Sequence, residues 1–327
     1  VMETYISTGH LPAEDRVRGI VSEAHQTFSA NTHGALSDVY PALTRVDASL
    51  FGISVVGADG TTFSVGDAGH EFTIMSVAKP FVFALMCDEH GSEAMREQIG
   101  VNATGLPFNS LAAMERTADG RTNPMVNPGA IATTGRAPGA TAHARWEFVR
   151  RGLSRFAGRE LALDEQMYAS ATATNQHNRA IVAVLEDLGR IGPDPAEALD
   201  AYTRQSCLRV TVADLATMGA TLADGGLNPK TGEQVVDPES CRAALAVMTT
   251  AGLYETSGDW LYTIGLPGKS GIGGGIVTVS PGKGGLGTFA PLLDTAGNSI
   301  KGQLATRFLS RRLGLDLFAS APLKRAT

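Results

Sequence analysis

Phe72-Thr73-Ile74-Met75-Ser76-Val77-Ala78-Lys79-Pro80-Phe81 sets a serine and a lysine three residues apart inside an otherwise apolar run. On a helix that spacing puts both side chains on one face, so the amine can take the hydroxyl proton. S-x-x-K followed much later by K-[ST]-G is a signature of serine acyl-transfer enzymes. Lys269-Ser270-Gly271 stands far downstream and leads into Ile272-Gly273-Gly274-Gly275-Ile276-Val277, where glycines let a strand backbone approach a ligand. The apolar flanks place Lys79 where a charged amine is costly to hold. Burial or a nearby cation lowers a lysine pKa, and Lys269 is the candidate cation. At a helix N-terminus the Ser76 backbone N–H would point at a developing oxyanion. A second match, Lys230-Thr231-Gly232, lies in the polar stretch Leu227-Asn228-Pro229-Lys230-Thr231-Gly232-Glu233 and reads as a surface turn.

Working outward from the motif, Val17, Ile20, Val21, Ala24 and Phe28 recur at helical spacing between Ala13 and Ala30. Leu50 to Val56 and Thr62 to Val65 flank Ala58-Asp59-Gly60 as a β-hairpin. The pattern then turns helical, with segments near 142–156, 175–188, 196–205 and 212–223 between Gly and Pro breaks. Trp260 to Ile264, Gly275 to Val279 and Leu286 to Phe289 read as strands, and Ser299 to Leu313 as a closing amphipathic helix. The expectation is an α+β fold over residues 1–327 in two lobes. An α/β lobe, about 8–70 and 255–318, takes its sheet from both ends of the chain, and a mostly helical lobe, about 71–254, is inserted between them. The cleft between sheet and helical lobe is the natural place for a site.

Composition narrows the function. A net charge of −6 and scattered Lys and Arg give no basic face for nucleic acid. The opening VMETYISTGHLPAEDRV has no basic start followed by an apolar core, and no run reaches a membrane span, so the expected location is cytoplasmic. Cys87, Cys207 and Cys241 are isolated thiols suited to core packing. The seven histidines show no compact metal spacing. A P-loop ending in Lys269-Ser270 would need glycine at Thr263, and a dinucleotide fingerprint begun at Gly271 would end on Ile276, so no cofactor is expected.

Longer strings carry a resemblance. GALSDVYPAL, FTIMSVAKPF, NPMVNPGAI, HNRAIVAVL, AYTRQSCLRVTVADLA, TTAGLY, GLPGKSGIGGGIV and APLLDTAGNS, from about Leu11 to Phe318, resemble the serine-dependent glutaminase family. The resemblance implies a β-lactamase-like (DD-peptidase-like) fold and hydrolysis of L-glutamine to glutamate and ammonia, with a homodimer or homotetramer as the assembly. It implies Ser76 as nucleophile, Lys79 as its base and Tyr254 as proton donor to the leaving ammonia. Asn127, Asn178 and Tyr202 match substrate-binding positions. Ile272 stands at a position usually held by valine, whose N–H completes the oxyanion hole. Tyr40 and Lys269 are taken with them as pocket residues.

Four positions depart from the family pattern. Asp38-Val39-Tyr40-Pro41 replaces D-Y-I-P, a one-residue shift that is expected to aim the aromatic elsewhere. Met75 replaces a common glutamine, Ala171 stands where a glutamate pairs with the substrate ammonium, and Ser206-Cys207 inverts Cys-Ser. The reading is an amidohydrolase acting on L-glutamine through a serine acyl-enzyme. One alternative is a penicillin-recognising, β-lactamase-like serine hydrolase, although its usual S-x-N is matched only by Ser29-Ala30-Asn31, ahead of the nucleophile. The other is a catalytically weak or silent homologue with an altered amide ligand.

Overall fold

Five antiparallel strands in the order β2-β1-β7-β6-β5 form the main sheet, with β1 at Gly52–Gly57, β2 at Thr62–Gly66, β5 at Gly268–Ser270, β6 at Gly275–Ser280 and β7 at Gly284–Phe289. A second sheet pairs two short strands, β3 (Phe72–Thr73) and β4 (Arg209–Val210). The computed structural model describes residues 9–117 and 119–319. The first eight residues, which open the stretch read for a leader, and the ends of the 1–327 span lie outside them. The sheet is built from the two ends of the chain because β1 pairs with β7, Ile53 opposite Thr288 and Val55 opposite Leu286.

Side-chain alternation gives the sheet two faces. Ile53, Val55, Ile276 and Leu286 pack with Val17, Ile20, Val21 and Ala24 of the Glu14–Phe28 helix and with Ala305 and Leu309 of the Ile300–Leu313 helix. Glu14 and Asp15 at the start of the first helix complement its dipole. Val56 faces Ala216 and Ala220 of the Val212–Ala223 helix on the other side. That helix starts in a capping box: the Asp214 N–H donates to the Thr211 hydroxyl at 3.2 Å and the Thr211 N–H to the Asp214 carboxylate at 2.7 Å. It lies almost on the sheet backbone, because a Cβ on Gly285 would stand 2.2 Å from the Ala216 carbonyl oxygen.

Between β2 and β5 the chain is otherwise helical. The Lys79–His90 helix is buried from Lys79 through Cys87 and is wrapped by the Asn127–Thr134, Ala142–Ala157 and Pro238–Ala251 helices. Cys87, Cys207 and Cys241 are buried free thiols, each pushed up to about 12 mainly by burial. Lys230 to Gly232 form an exposed turn in which the Asn228 side-chain carbonyl accepts the Lys230 and Thr231 N–H groups. Among the described residues no helix is long and apolar enough to cross a membrane.

One element differs from its sequence reading. Trp260 to Ile264, expected as a strand, belongs to the Ser257–Ile264 helix. Trp260 and Ile264 are four apart and both buried, whereas Tyr262 between them is 91% exposed. A strand would put all three on one face, and a helix separates the middle one. Gly265, at φ 72°, closes the helix, and the Trp260 indole donates to the Leu266 carbonyl at 2.8 Å. The edge strand β5 follows directly and carries Lys269.

Candidate active site

Ser76 sits in a 3-10 turn, Met75–Ala78, that feeds directly into the Lys79–His90 helix. The turn is pinned on its upstream side by the β3/β4 pairing and by the Ile74 N–H, which donates to the Leu208 carbonyl at 2.9 Å. Met75 is forced to φ 49°, a left-handed backbone uncommon for a residue with a side chain. Ser76 is therefore presented from a strained corner, and the Ser76 carbonyl receives the Lys79 N–H one turn on. Ser76 thus lies in the tight turn and Lys79 at the first position of the helix it feeds, where the amine's hydrogen bonds go to Asn127 and Met125.

Lys79 and Lys269 are both fully buried. The Lys79 amine donates to the Asn127 side-chain carbonyl at 2.7 Å and to the Met125 carbonyl at 3.3 Å, and lies 5.9 Å from the centroids of the Phe108 and Tyr202 rings. Burial pushes it down to about 7. Lys269 donates to the Ser270 carbonyl at 2.7 Å and is held well below the usual lysine range by burial and then by the Lys79 amine. Burial is the cause that lowers Lys79, and the influence between the two amines runs from Lys79 onto Lys269, opposite to the expected direction.

Tyr254, the other non-glycine residue with positive φ (55°) among the described residues, donates from its hydroxyl to the Ser270 carbonyl at 3.2 Å. Its ring packs against Phe108, with centroids 4.7 Å apart, and the Lys269 amine sits 4.5 Å from its centroid. Burial raises its pKa above the usual tyrosine value, while the Ser76 and Ser270 groups beside the hydroxyl pull the other way. A neutral phenol next to Ser76 is a proton carrier suited to a leaving group. Ser76 and Ile272 line one cleft, and among the described residues no acceptor takes the backbone N–H of either. Backbone N–H groups without acceptors are the donors an oxyanion needs.

Asn127, Tyr202 and Asn178 converge on the same cleft. The Tyr202 hydroxyl donates to the Asn127 side-chain carbonyl at 3.0 Å, and the Asn127 amide donates to that of Asn178 at 2.9 Å. The chain continues through residues that sequence reasoning missed. Asn178 donates to Asn175 at 2.7 Å, Asn175 to the Thr203 hydroxyl at 3.0 Å, and Thr203 to the Leu199 carbonyl at 2.8 Å. Every bond runs in the same direction, which fixes each amide and turns the Asn127 oxygen toward Lys79. Asn175 precedes Asn178 by three, a spacing that puts both on one helical face and marked it as a partner. Thr203 carries no such local signal.

Tyr40 corrects an expectation. It lines the cleft beside Val39, half-buried, and burial pushes its hydroxyl up to about 12. Residues 38–41 form a bend and turn, so the strand alternation that would have swung the aromatic away does not apply. Met75 and Ala171 are buried together in an apolar cluster with Tyr254, Ile272 and Cys207. A wider cavity of about 420 Å³ between Arg96, Arg116 and Arg121 contains no Ser/Lys pair.

A sheet covered by terminal helices on one face, with a helical insertion carrying Ser76 and Lys79 against an edge strand carrying Lys269, places the protein in the serine β-lactamase-like fold class. Comparison with known proteins narrows the class. The glutaminase family profile matches residues 34–318, so the chain belongs to the glutaminase family, enzymes that hydrolyse glutamine to glutamate. Glutaminase 2 of Yersinia pestis is 65% identical over 318 residues, covering 97% of this chain and 94% of that one. The glutaminase of Brucella canis is 45% identical over 308 residues, covering 94% and 97%. Among solved structures, the probable glutaminase ybaS superposes with a TM-score of 0.93 at 38% identity over 94% of this chain and all of that one. A Bacillus glutaminase superposes with a TM-score of 0.82 at 28% identity over 93% and 99%.

Proposed function

We propose that glutamine hydrolysis by this chain runs through an acyl-enzyme on Ser76. The Ser76 hydroxyl attacks the side-chain amide carbon while neutral Lys79 takes its proton, and the oxyanion settles between the Ser76 and Ile272 N–H groups. The C–N bond then breaks, and ammonia leaves with a proton passed through the Tyr254 hydroxyl. Water attacks the ester by the reverse proton path and releases glutamate. Asn127, Asn178 and Tyr202 hold the rest of the substrate, and Lys269 and Tyr40 wall the pocket. One observation carries the reading: Lys79 is buried without a carboxylate and falls to about 7, so it is available as a base at neutral pH.

The homodimer or homotetramer implied by the family resemblance and the cytoplasmic location expected from the sequence belong to the same reading, and sedimentation velocity tests the first. Ammonia release from glutamine by wild type and Ser76→Ala tests the mechanism. Wild type is expected to be active and Ser76→Ala to lose on the order of 10⁴-fold or more in kcat. Equal rates for the two proteins would sink the Ser76 assignment.

A further inference from the structure

The cleft in front of Ser76 is polar but carries no anion. Its hydrogen-bonding lining includes Tyr40, Asn127, Asn175, Asn178, Tyr202 and Ser206, and among the described residues no aspartate or glutamate lines it. Lys79 and Lys269 are buried outside that lining, and the exposed His177 ring within it bonds the Asn109 carbonyl.

The carboxylates near the cleft lie outside its lining, and Asp38, next to the lining residues Val39 and Tyr40, is exposed. Asp294 accepts the Ala296 and Asn298 N–H groups at 2.9 and 3.0 Å and the Gln303 amide at 2.8 Å. Glu255, beside Tyr254, is exposed. Asp164 caps the Glu165–Ala173 helix by accepting the Met167 N–H at 2.9 Å, and it lines a separate cavity with Arg45 and His70. A free α-amino acid amide entering the cleft brings an ammonium that loses water and meets neutral oxygens and amides. Its carboxylate, by contrast, meets asparagine amides, each of which gives one N–H to the chain and keeps a second.

We infer that this enzyme also hydrolyses monoamides of five-carbon dicarboxylic acids whose α-position bears hydrogen or a neutral group in place of the ammonium. This rests on the Ser76 reading above. With glutaramate, the monoamide of glutaric acid, Ser76 Oγ bonds the amide carbon, the C–N bond breaks, and ammonia leaves with the serine proton. Water then cleaves the ester, giving glutarate and restoring the serine hydroxyl, with no oxidant or cofactor consumed. A pocket that pairs the ammonium with a buried carboxylate gives up about 30-fold to several-thousand-fold when that partner is lost, and this cleft has no such pairing to lose.

The test measures kcat/KM for ammonia release from L-glutamine and from glutaramate by the full chain, with glutamate and glutarate compared as inhibitors. Glutaramate is expected to reach at least about one-tenth of the glutamine value, and glutarate to inhibit within about tenfold of glutamate. A glutaramate value below that, or glutarate weaker than glutamate by more than that margin, overturns the inference. Ser76→Ala separates the two ideas. Retained turnover in that variant removes the acyl-enzyme, whereas a wild type confined to glutamine removes only the extended substrate class.

Discussion

Burying the Lys79 amine beneath the Phe108 and Tyr202 rings takes away the water that would hold its proton, and two neutral acceptors, the Asn127 and Met125 oxygens, replace it. The activity of a base with a pKa of about 7 follows its neutral fraction, so kcat/KM for glutamine is expected to fall about tenfold per pH unit below 7 and to level off above it. The same burial acts on stability. The folded pKa lies below the unfolded one, so between about 7 and the ordinary lysine value of 10.5 the unfolded chain binds the extra proton and stability rises with pH. Below 7 the full cost of burying the charge is present. Lys79→Met is therefore expected to abolish turnover yet raise Tm at pH 6 by roughly 2–4 °C, about 1 kcal/mol, read by calorimetry. Asn175 acts one step removed. Asn175→Ala leaves the Asn178 donor unpaired at a cost of about 1–3 kcal/mol and frees the amide chain to turn. The protonated amine then loses its oriented acceptor, so the acid limb of kcat/KM is expected to move to lower pH as the rate drops, a shift that a merely loosened fold would not produce. The Ser76/Lys79 pair is legible in sequence because its two members are one helical turn apart. Tyr254 and Ile272 are legible only through the family resemblance, and Thr203 not at all, since contacts across tens to hundreds of residues leave no local periodicity.

At the level of elements, glycines decide how closely the catalytic helices approach the sheet. A Cβ on Gly285 would lie 2.2 Å from the Ala216 carbonyl oxygen and 2.3 Å from the Ala220 nitrogen, and both are backbone atoms of a helix that cannot yield locally. Gly285→Ala is expected to cost about 1–3 kcal/mol in urea denaturation by lifting the Val212–Ala223 helix off β7. The shift carries Val210 and the Leu208 carbonyl that anchors Ile74, so kcat is expected to fall with it. β2 and the two terminal helices are readable from pattern because each has one buried face, and β1, β6 and β7, buried on both, are readable as short runs bounded by glycines. Trp260 to Ile264 defeats that reading because five residues hold barely one helical turn, too little to tell a period of 3.6 from an apolar run. The short edge strand β5 is overlooked for a related reason: three residues, one of them the buried Lys269, show no alternation.

Over the whole molecule the site is assembled from pieces that only the complete fold brings together: Ser76 and Lys79 after the hairpin, Asn127, Asn178 and Tyr202 from three helices, Tyr254 and Ile272 from the return to the sheet. The two parts are not separately packed. One apolar cluster joins Phe81, Leu153 and Phe156 of the helical region to Val277, Val279 and Phe289 of the sheet. A shared core of that kind predicts a single cooperative unit in spite of the two lobes expected from the sequence. The two tryptophans report from different parts, since Trp146 lies on the Ala142–Ala157 helix and Trp260 packs with the sheet and terminal helices. In Trp146→Phe and Trp260→Phe variants the remaining indole reads one part alone. Once each variant's own change in stability is removed by far-ultraviolet circular dichroism, the fluorescence and dichroism midpoints in urea are expected to coincide in both proteins, and ammonia release to vanish over the same range. A Trp146 transition that runs ahead of the Trp260 transition would mean that the helical region opens on its own. In that case Asn127, Asn178 and Tyr202 would leave the cleft while Tyr254 and Ile272 stayed in place, and activity would be lost with the first transition.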